Sequence, residues 1–192
     1  MEKIVIIGSP GSGKTTLARA LGPVFNLKVY HLDRLFWQRG WKAKTRDTSI
    51  DILQNLVREK QWIIEGTYLH LSELHLDAAD TIIFLDISSL LCPQRLIKRH
   101  HEYNKRFRRD IPKECTDRLT LFRIFKVLTF PLHGRRTIKQ SIRNYNSKHI
   151  IWLHSAKEVE DFLVQQKQDA DDKSNSSDTV LVANKRNLVA AR

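Results

Sequence analysis

One string near the start of the chain constrains the fold more than any other: Gly-Ser-Pro-Gly-Ser-Gly-Lys-Thr at residues 8–15. It fits the G-x-x-x-x-G-K-[ST] pattern of the phosphate-binding loop (P-loop) at every fixed position. Residues 4–7 before it are apolar and β-branched, as in a buried parallel strand, and residues 13–21 after it have helical spacing. Such a loop points successive backbone N–H groups at one anion, with a helix N-terminus behind them. The string therefore predicts a nucleotide site on an α/β fold.

The rest of the chain alternates short apolar runs with helical patterns, which is typical of a doubly wound parallel sheet. Further strands are predicted at residues 27–31, 61–64, 81–85 and 149–153, and further helices at 45–59, from about 90, and at 155–166. We therefore expect an α/β, three-layer P-loop NTPase of the nucleoside-monophosphate-kinase-like type, with a five-stranded parallel sheet.

Length and composition fit one globular domain, which we place at residues 1–167 of the 192. A basic helical insertion at about residues 90–146 would form a lid. From residue 168 the composition shifts to Asp, Ser, Asn and Lys, which predicts a disordered tail over 168–192.

Several classes of protein are excluded by what the sequence lacks. No apolar run reaches the roughly 18 residues that a membrane span needs. The first residues lack the apolar region and cleavage site of a signal peptide. Cys92 and Cys115 form neither a zinc pattern nor a disulfide framework. The expected location is the cytoplasm. An Asn-Lys-x-Asp guanine motif is also absent, and the chain is too short for most motor ATPases, so small kinases are the leading class.

The P-loop residues have separate expected roles. Lys14 would reach the β- and γ-phosphates of ATP, and the Thr15 hydroxyl would bind Mg²⁺. The residues expected to contact the nucleotide are Gly8, Ser9, Pro10, Gly11, Ser12, Gly13, Lys14, Thr15 and Thr16.

Three acids follow predicted strands, at the sheet edge where ligands bind in open α/β folds. Glu65 is the candidate for the Mg²⁺ shell, through a water molecule, because its strand usually lies beside the P-loop strand in small kinases. Asp33 is the candidate for the acceptor side, as a base or an orienting group. For both, the alternative is a helix cap or a loop salt bridge. Asp86 is favoured as a helix cap, with Ser88 and Ser89 following it.

Asp33 begins the string Asp-Arg-Leu-Phe-Trp-Gln-Arg-Gly-Trp, residues 33–41. Two tryptophans and two arginines after an acid could form a wall for a flat or anionic acceptor. The aromatic rings could equally pack a small helical flap, and both interpretations can hold together.

Positive charge is concentrated in one region. Between residues 95 and 143, fifteen Lys and Arg stand against four acids, a net charge of +11. Arg95 and Arg99 lie at i and i+4 on a predicted helix, where they could close over the transferring phosphoryl group. The alternatives are a solvated basic face and a nucleic-acid surface.

These strings together resemble the bacterial DNA topology modulation (FlaR-like) proteins, which look like relatives of adenylate and shikimate kinases. The likeness covers about residues 3–165, and its most specific part is Asp-x-x-Phe-Trp-x-x-Gly-Trp, beginning at Asp33. It implies a P-loop kinase fold with ATP on the loop. It also implies that Arg95 and Arg99 are lid-base arginines, one packing on adenine and one meeting phosphates.

The likeness places Glu65-Gly66 where those kinases carry Asp-Gly. The sequence continues with Thr67-Tyr68-Leu69 in place of their Phe-Pro-Arg. These departures weaken the case for a nucleoside monophosphate as the acceptor.

Three functions remain open from the sequence. The favoured one is a kinase that moves the γ-phosphoryl group of ATP, with Mg²⁺, to a small acceptor, either nucleotide-like or a hydroxylated metabolite. The second is a nucleotide-dependent protein that binds DNA or RNA through residues 95–143 and modulates topology. The third is an NTP hydrolase acting as a switch. The chain could act as a monomer or a dimer.

Overall fold

A computed structural model describes residues 1–88, 91–103, 125, 127–130 and 133–189. Within these ranges it does not describe the side chains of Leu91, Arg99, Glu102 and Tyr103, or those of residues 173–189.

Seven strands and seven α-helices are described in these parts of the chain. The strands are β1 (Lys3–Gly8), β2 (Val29–His31), β3 (Trp37–Gln38), β4 (Lys42–Ala43), β5 (Trp62–Glu65), β6 (Thr81–Leu85) and β7 (His149–Leu153). The helices are α1 (Lys14–Phe25), α2 (Leu32–Phe36), α3 (Arg46–Val57), α4 (Ser72–Ala78), α5 (Leu91–Tyr103), α6 (Gly134–Arg143) and α7 (Ala156–Val189). Short 3₁₀ turns span Arg39–Trp41 and Leu69–Leu71.

The main sheet has five parallel strands in the order β2-β5-β1-β6-β7. Strand β1, which leads into the P-loop, lies at the centre, and β5 and β6 pair with it on either side. All three are buried runs of mostly branched apolar residues, as central parallel strands require. The predicted fold class and five-stranded parallel sheet are confirmed.

Alternation along β1 divides the core into two layers, one on each face of the sheet. Ile4 and Ile6 pack in one layer with Leu17 and Leu21 of α1. Val5 and Ile7 lie in the other layer, which is completed by α3, α4 and α6 through Leu53, Leu56, Leu76, Ile138 and Ile142. Helices on both faces of the sheet give the expected three layers.

Residues 32–43 form a small flap that the sequence only partly predicts. Helix α2 follows β2 directly, and the antiparallel pair β3–β4 returns the chain through a tight turn. Gly40 and Trp41 occupy this turn with φ angles of +71° and +62°. A left-handed conformation is ordinary for glycine and rare for tryptophan, so Trp41 is held by its surroundings in a specific orientation.

The last helix differs from the sequence-based expectation. Helix α7 continues to Val189, well past residue 168, where the composition predicts a disordered tail. The segment is polar, but it contains no glycine or proline after Ser155 to interrupt a helix. The proposed domain boundary near residue 167 stays a prediction. None of the helices in the described ranges is both long and apolar enough to cross a membrane.

Candidate functional site

The candidate site lies at the carboxyl edge of the sheet, where β1 ends in the P-loop. The register pairs Ile6 of β1 with Glu65 of β5, and His31 of β2 with the same Glu65. On the other side, Gly8 pairs with Leu85, so Asp86 follows one strand away from the loop. Parallel pairing therefore brings the predicted residues of separate segments to one edge.

The loop itself has the backbone geometry that a phosphate cradle requires. Gly11 and Gly13 have φ angles of +83° and +102°, and Gly13 is the N-cap of α1. A Cβ at Gly11 would stand 2.7 Å from the carbonyl oxygen of Cys92. Only glycine accommodates both the conformation and the contact. Ser12 is buried, and its Oγ has no hydrogen-bond partner in the described residues.

Lys14 and Thr67 hold the beginning of the loop. Lys14 Nζ donates to the carbonyl oxygens of Gly8 and Ser9 at 3.0 and 2.9 Å. Thr67 Oγ1 accepts from the Gly8 N–H at 3.0 Å and donates to the Gly8 carbonyl at 2.7 Å. The loop is thereby tied to the segment after β5. Thr16, also expected in the nucleotide site, is exposed on α1.

A buried carboxylate lies directly beside the loop. Thr15 Oγ1 donates to Glu65 Oε1 at 3.0 Å, and His31 Nδ1 is 2.8 Å from the same oxygen. An ionised carboxylate only accepts, so His31 carries its proton on Nδ1 when it makes this bond. The structure thus joins the predicted Thr15 and Glu65. It adds His31, which sequence reasoning missed, although its place two residues before Asp33 was a signal.

These residues fit a hard divalent cation. A hydroxyl and a carboxylate oxygen are the ligand types that Mg²⁺ prefers, and Mg²⁺ sites usually combine one or two such groups with water and phosphates. The unpartnered Ser12 Oγ in the adjacent loop indicates that a polar ligand completes this cradle. Among the described residues, no cluster of three or more His, Cys, Asp or Glu could enclose a metal by itself.

Asp33 belongs to a second group of side chains, on the flap side. The Tyr68 hydroxyl donates to Asp33 Oδ1 at 2.5 Å and accepts from Trp37 Nε1 at 2.8 Å. Its ring packs edge-on against Phe36, with centroids 4.8 Å apart. Trp37 in turn meets Trp41 edge-to-face at 5.6 Å. The two interpretations of the aromatic string therefore coexist, since the rings pack the flap and also contact the acid.

Tyr68 remains protonated in these surroundings. Burial, and next the charge and hydrogen bond of Asp33, raise the pKa of the Tyr68 phenol far above its ordinary value of 10.0. The hydroxyl is therefore a permanent donor to the carboxylate. The sequence shows Tyr68 only as a departure from the related kinases, and gives no sign of its contact with Asp33.

The lid arginines are described in part. Arg95 lies on α5, and its Nη1 donates to the Ser12 carbonyl at 3.3 Å, which brings it to the P-loop as predicted from its position. Arg99 lies one turn further along α5, but its side chain is outside the described part of the structure. Residues 104–124, in the middle of the predicted basic lid, also lie outside the described residues.

Asp86 has partners that differ from the predicted helix cap. Arg135 of α6 donates to Asp86 Oδ2 through Nε at 2.9 Å and Nη2 at 2.7 Å. Lys139 Nζ and His154 Nδ1 are each 3.6 Å from the same oxygen. The carboxylate is buried while these cationic groups are more exposed, so Asp86 anchors α6 to the sheet edge.

A central P-loop strand, the order β2-β5-β1-β6-β7 and acids at the neighbouring strand ends define the fold of the P-loop kinases. Two solved structures share it. Shikimate kinase from Acinetobacter baumannii, in complex with shikimate, matches with a TM-score of 0.58 and 14% identity over 86% of this chain and 90% of its own. A protein from Chloroflexus aurantiacus assigned as a kinase matches with a TM-score of 0.51 and 17% identity over 86% and 96%.

Sequence comparisons add no family. No protein-family model matches the chain, and no curated protein matches it. The kinase part of the sequence-based resemblance agrees with the structural neighbours, whereas the likeness to DNA topology modulation proteins receives no support from any comparison.

Proposed function

We propose that this protein is an ATP-dependent kinase that transfers the γ-phosphoryl group to a hydroxyl of a small acceptor. One observation carries the proposal: two carboxylates at neighbouring strand ends are held by different groups. Glu65 is bonded to Thr15 of the P-loop, and Asp33 is bonded to the aromatic flap. A phosphoryl transfer needs one acid near the metal and often one near the acceptor.

The nucleotide side would be formed by residues 8–16. Their backbone N–H groups and the N-terminus of α1 would bind the phosphates, and Lys14 would exchange its bonds to the loop carbonyls for bonds to the β- and γ-phosphates. Thr15 would hold Mg²⁺ directly, and Glu65 would hold it through water. When bound, the ion would neutralise charge on the phosphates.

The acceptor side would be formed by Asp33 and the flap. The acceptor oxygen forms a bond to the γ-phosphorus as the bond to the bridging oxygen of ADP breaks, and the hydroxyl proton passes to Asp33. Arg95, already at the loop, would offset charge on the transferring group, with Arg99 beside it. The shikimate kinase of similar fold is bound to a small hydroxylated acid, which supports an acceptor of that size.

A second candidate function rests on the net charge of +11 between residues 95 and 143. Such a segment could bind nucleic acid through phosphate contacts, in a way that weakens steeply with salt. The protein would then be a nucleotide-dependent switch on a kinase fold.

The test is transfer from labelled ATP with Mg²⁺ across nucleosides, nucleotides and hydroxylated metabolites, beside a DNA titration at two salt concentrations. We expect label on one acceptor, none with Lys14→Ala, and none with Asp33→Asn although this variant still binds ATP. Absence of any labelled acceptor in the wild type, together with ATP-dependent DNA binding, would replace the kinase with the switch.

A further inference from the structure

Asp33, Tyr68 and Trp37 form one directed chain of hydrogen bonds. An indole nitrogen can only donate, so Trp37 Nε1–H must give its proton to the Tyr68 oxygen, at 2.8 Å. The phenol has a single proton of its own, which it gives to Asp33 Oδ1 at 2.5 Å. The direction therefore runs from Trp37 through Tyr68 to Asp33 and cannot reverse.

Each member of the chain is also fixed by packing. Phe36 meets the Tyr68 ring edge-on, and Trp41 meets the Trp37 ring edge-on. The backbone around Trp41 is held in the left-handed region, at φ +62°. Because the rings cannot rotate without losing these contacts, the phenol presents its hydroxyl to Asp33 in one geometry.

We propose that Tyr68 is a positioning residue that holds the Asp33 carboxylate toward the acceptor hydroxyl, with its own hydroxyl oriented by Trp37. With Oδ1 engaged by Tyr68, the other oxygen, Oδ2, receives the acceptor's proton. The inference rests on the proposed function, since it assigns Tyr68 to the acceptor-side carboxylate of that kinase. It also makes the flap part of the acceptor site, because β3 supplies Trp37.

The first experiment is Tyr68→Phe, which removes one oxygen and keeps the ring that packs on Phe36. Loss of a hydrogen bond to a charged group should lower kcat roughly 10- to 100-fold, while the KM for ATP stays unchanged. Tyr145→Phe is the matched control. Tyr145 also donates its hydroxyl to a carboxylate, Asp77 Oδ1 at 2.6 Å, in contacts made near the opposite edge of the sheet, and its loss should leave kcat unaltered.

A double-mutant cycle separates positioning from general support of the fold. If Tyr68 acts through Asp33, then Tyr68→Phe should cause no further loss in an Asp33→Asn background. Equal losses in both backgrounds, or a Tyr68→Phe variant with wild-type kcat, would overturn the inference. A wild type that phosphorylates no acceptor would refute the proposed function instead, and a second measurement then tests the chain of bonds itself.

That measurement is the indole ¹⁵N–¹H spectrum, in which Trp37→Phe identifies the Trp37 signal among the four tryptophans. Hydrogen bonds in a chain polarise one another, so Asp33→Asn should shift the Trp37 indole resonance although the two residues are joined only through Tyr68. Tyr68→Phe should shift it further and speed its exchange with water. A Trp37 signal unchanged by either substitution would disprove the chain, whatever the activity shows.

Discussion

His75 lies on α4 in the layer of the core opposite α1, and its ring is fully buried. Neither ring nitrogen makes a hydrogen bond of normal geometry within the described part of the chain. Burial lowers the pKa of His75 from 6.5 to about 4, against a smaller opposite effect of the Leu71 backbone. The folded protein therefore holds this imidazole neutral at pH values where the unfolded chain would protonate it.

The consequence for stability has a definite sign. Between pH 4 and 6.5 the unfolded state binds more protons at this residue than the folded state, so the free energy of unfolding rises with pH across that window. The contribution is complete above pH 6.5 and is lost as the pH falls. The difference between the two pKa values corresponds to about 3 kcal/mol in all, of which about 2 kcal/mol is lost by pH 5.

Urea denaturation at pH 7.5 and pH 5 measures this contribution. Wild type should lose about 2 kcal/mol more than His75→Leu between the two pH values, because other titrating groups cancel in the comparison. His149→Gln, which replaces an exposed histidine at the start of β7, is the control and should lose as much as wild type. An equal loss in wild type and His75→Leu would mean that the ring is protonated in the folded state, and would refute the reasoning.

Three further substitutions test the site and its supports. Glu65→Gln removes the charge beside Thr15 and should lower kcat roughly 100-fold and raise the Mg²⁺ concentration needed, as a magnesium titration of initial rates would show. Gly11→Ala must relieve a 2.7 Å contact with Cys92 at a φ of +83°, so it should lower stability by about 2 kcal/mol and weaken ATP binding in calorimetry. Asp86→Asn leaves Arg135 without its anion and should cost about 2 kcal/mol in thermal unfolding, with ATP affinity little changed; unaltered melting would contradict its anchoring role.

The sheet and the loop could be predicted because their signals are local. The P-loop string specifies its own turn, and the central strands are short apolar runs that only a buried position explains. Once the strands are parallel, their carboxyl ends must meet at one edge, which is why Asp33 and Glu65 were found from their positions alone. Confirmation of the fold therefore also confirms that these two acids lie at the same edge of the sheet.

The partners of these acids could not be predicted, because each comes from a distant segment. His31 and Glu65 are 34 residues apart and meet through the register of β2 and β5. Tyr68 and Asp33 are 35 residues apart and meet because the chain after β5 returns toward the flap. Asp86 and Arg135 are 49 residues apart. A strand pattern indicates that an acid ends a strand, but only the register and the loop path decide which donor it faces.

The supports of the two carboxylates divide the site in a way that bears on specificity. Glu65 is held by Thr15 and His31, which belong to the P-loop helix and the sheet. Asp33 is held by Tyr68 and, through it, by Trp37 of the flap. Under the proposed function, changes in the flap should therefore alter the choice and turnover of the acceptor while ATP binding persists. Changes around Thr15 should do the reverse, since no hydrogen bond described here links the flap to the P-loop directly.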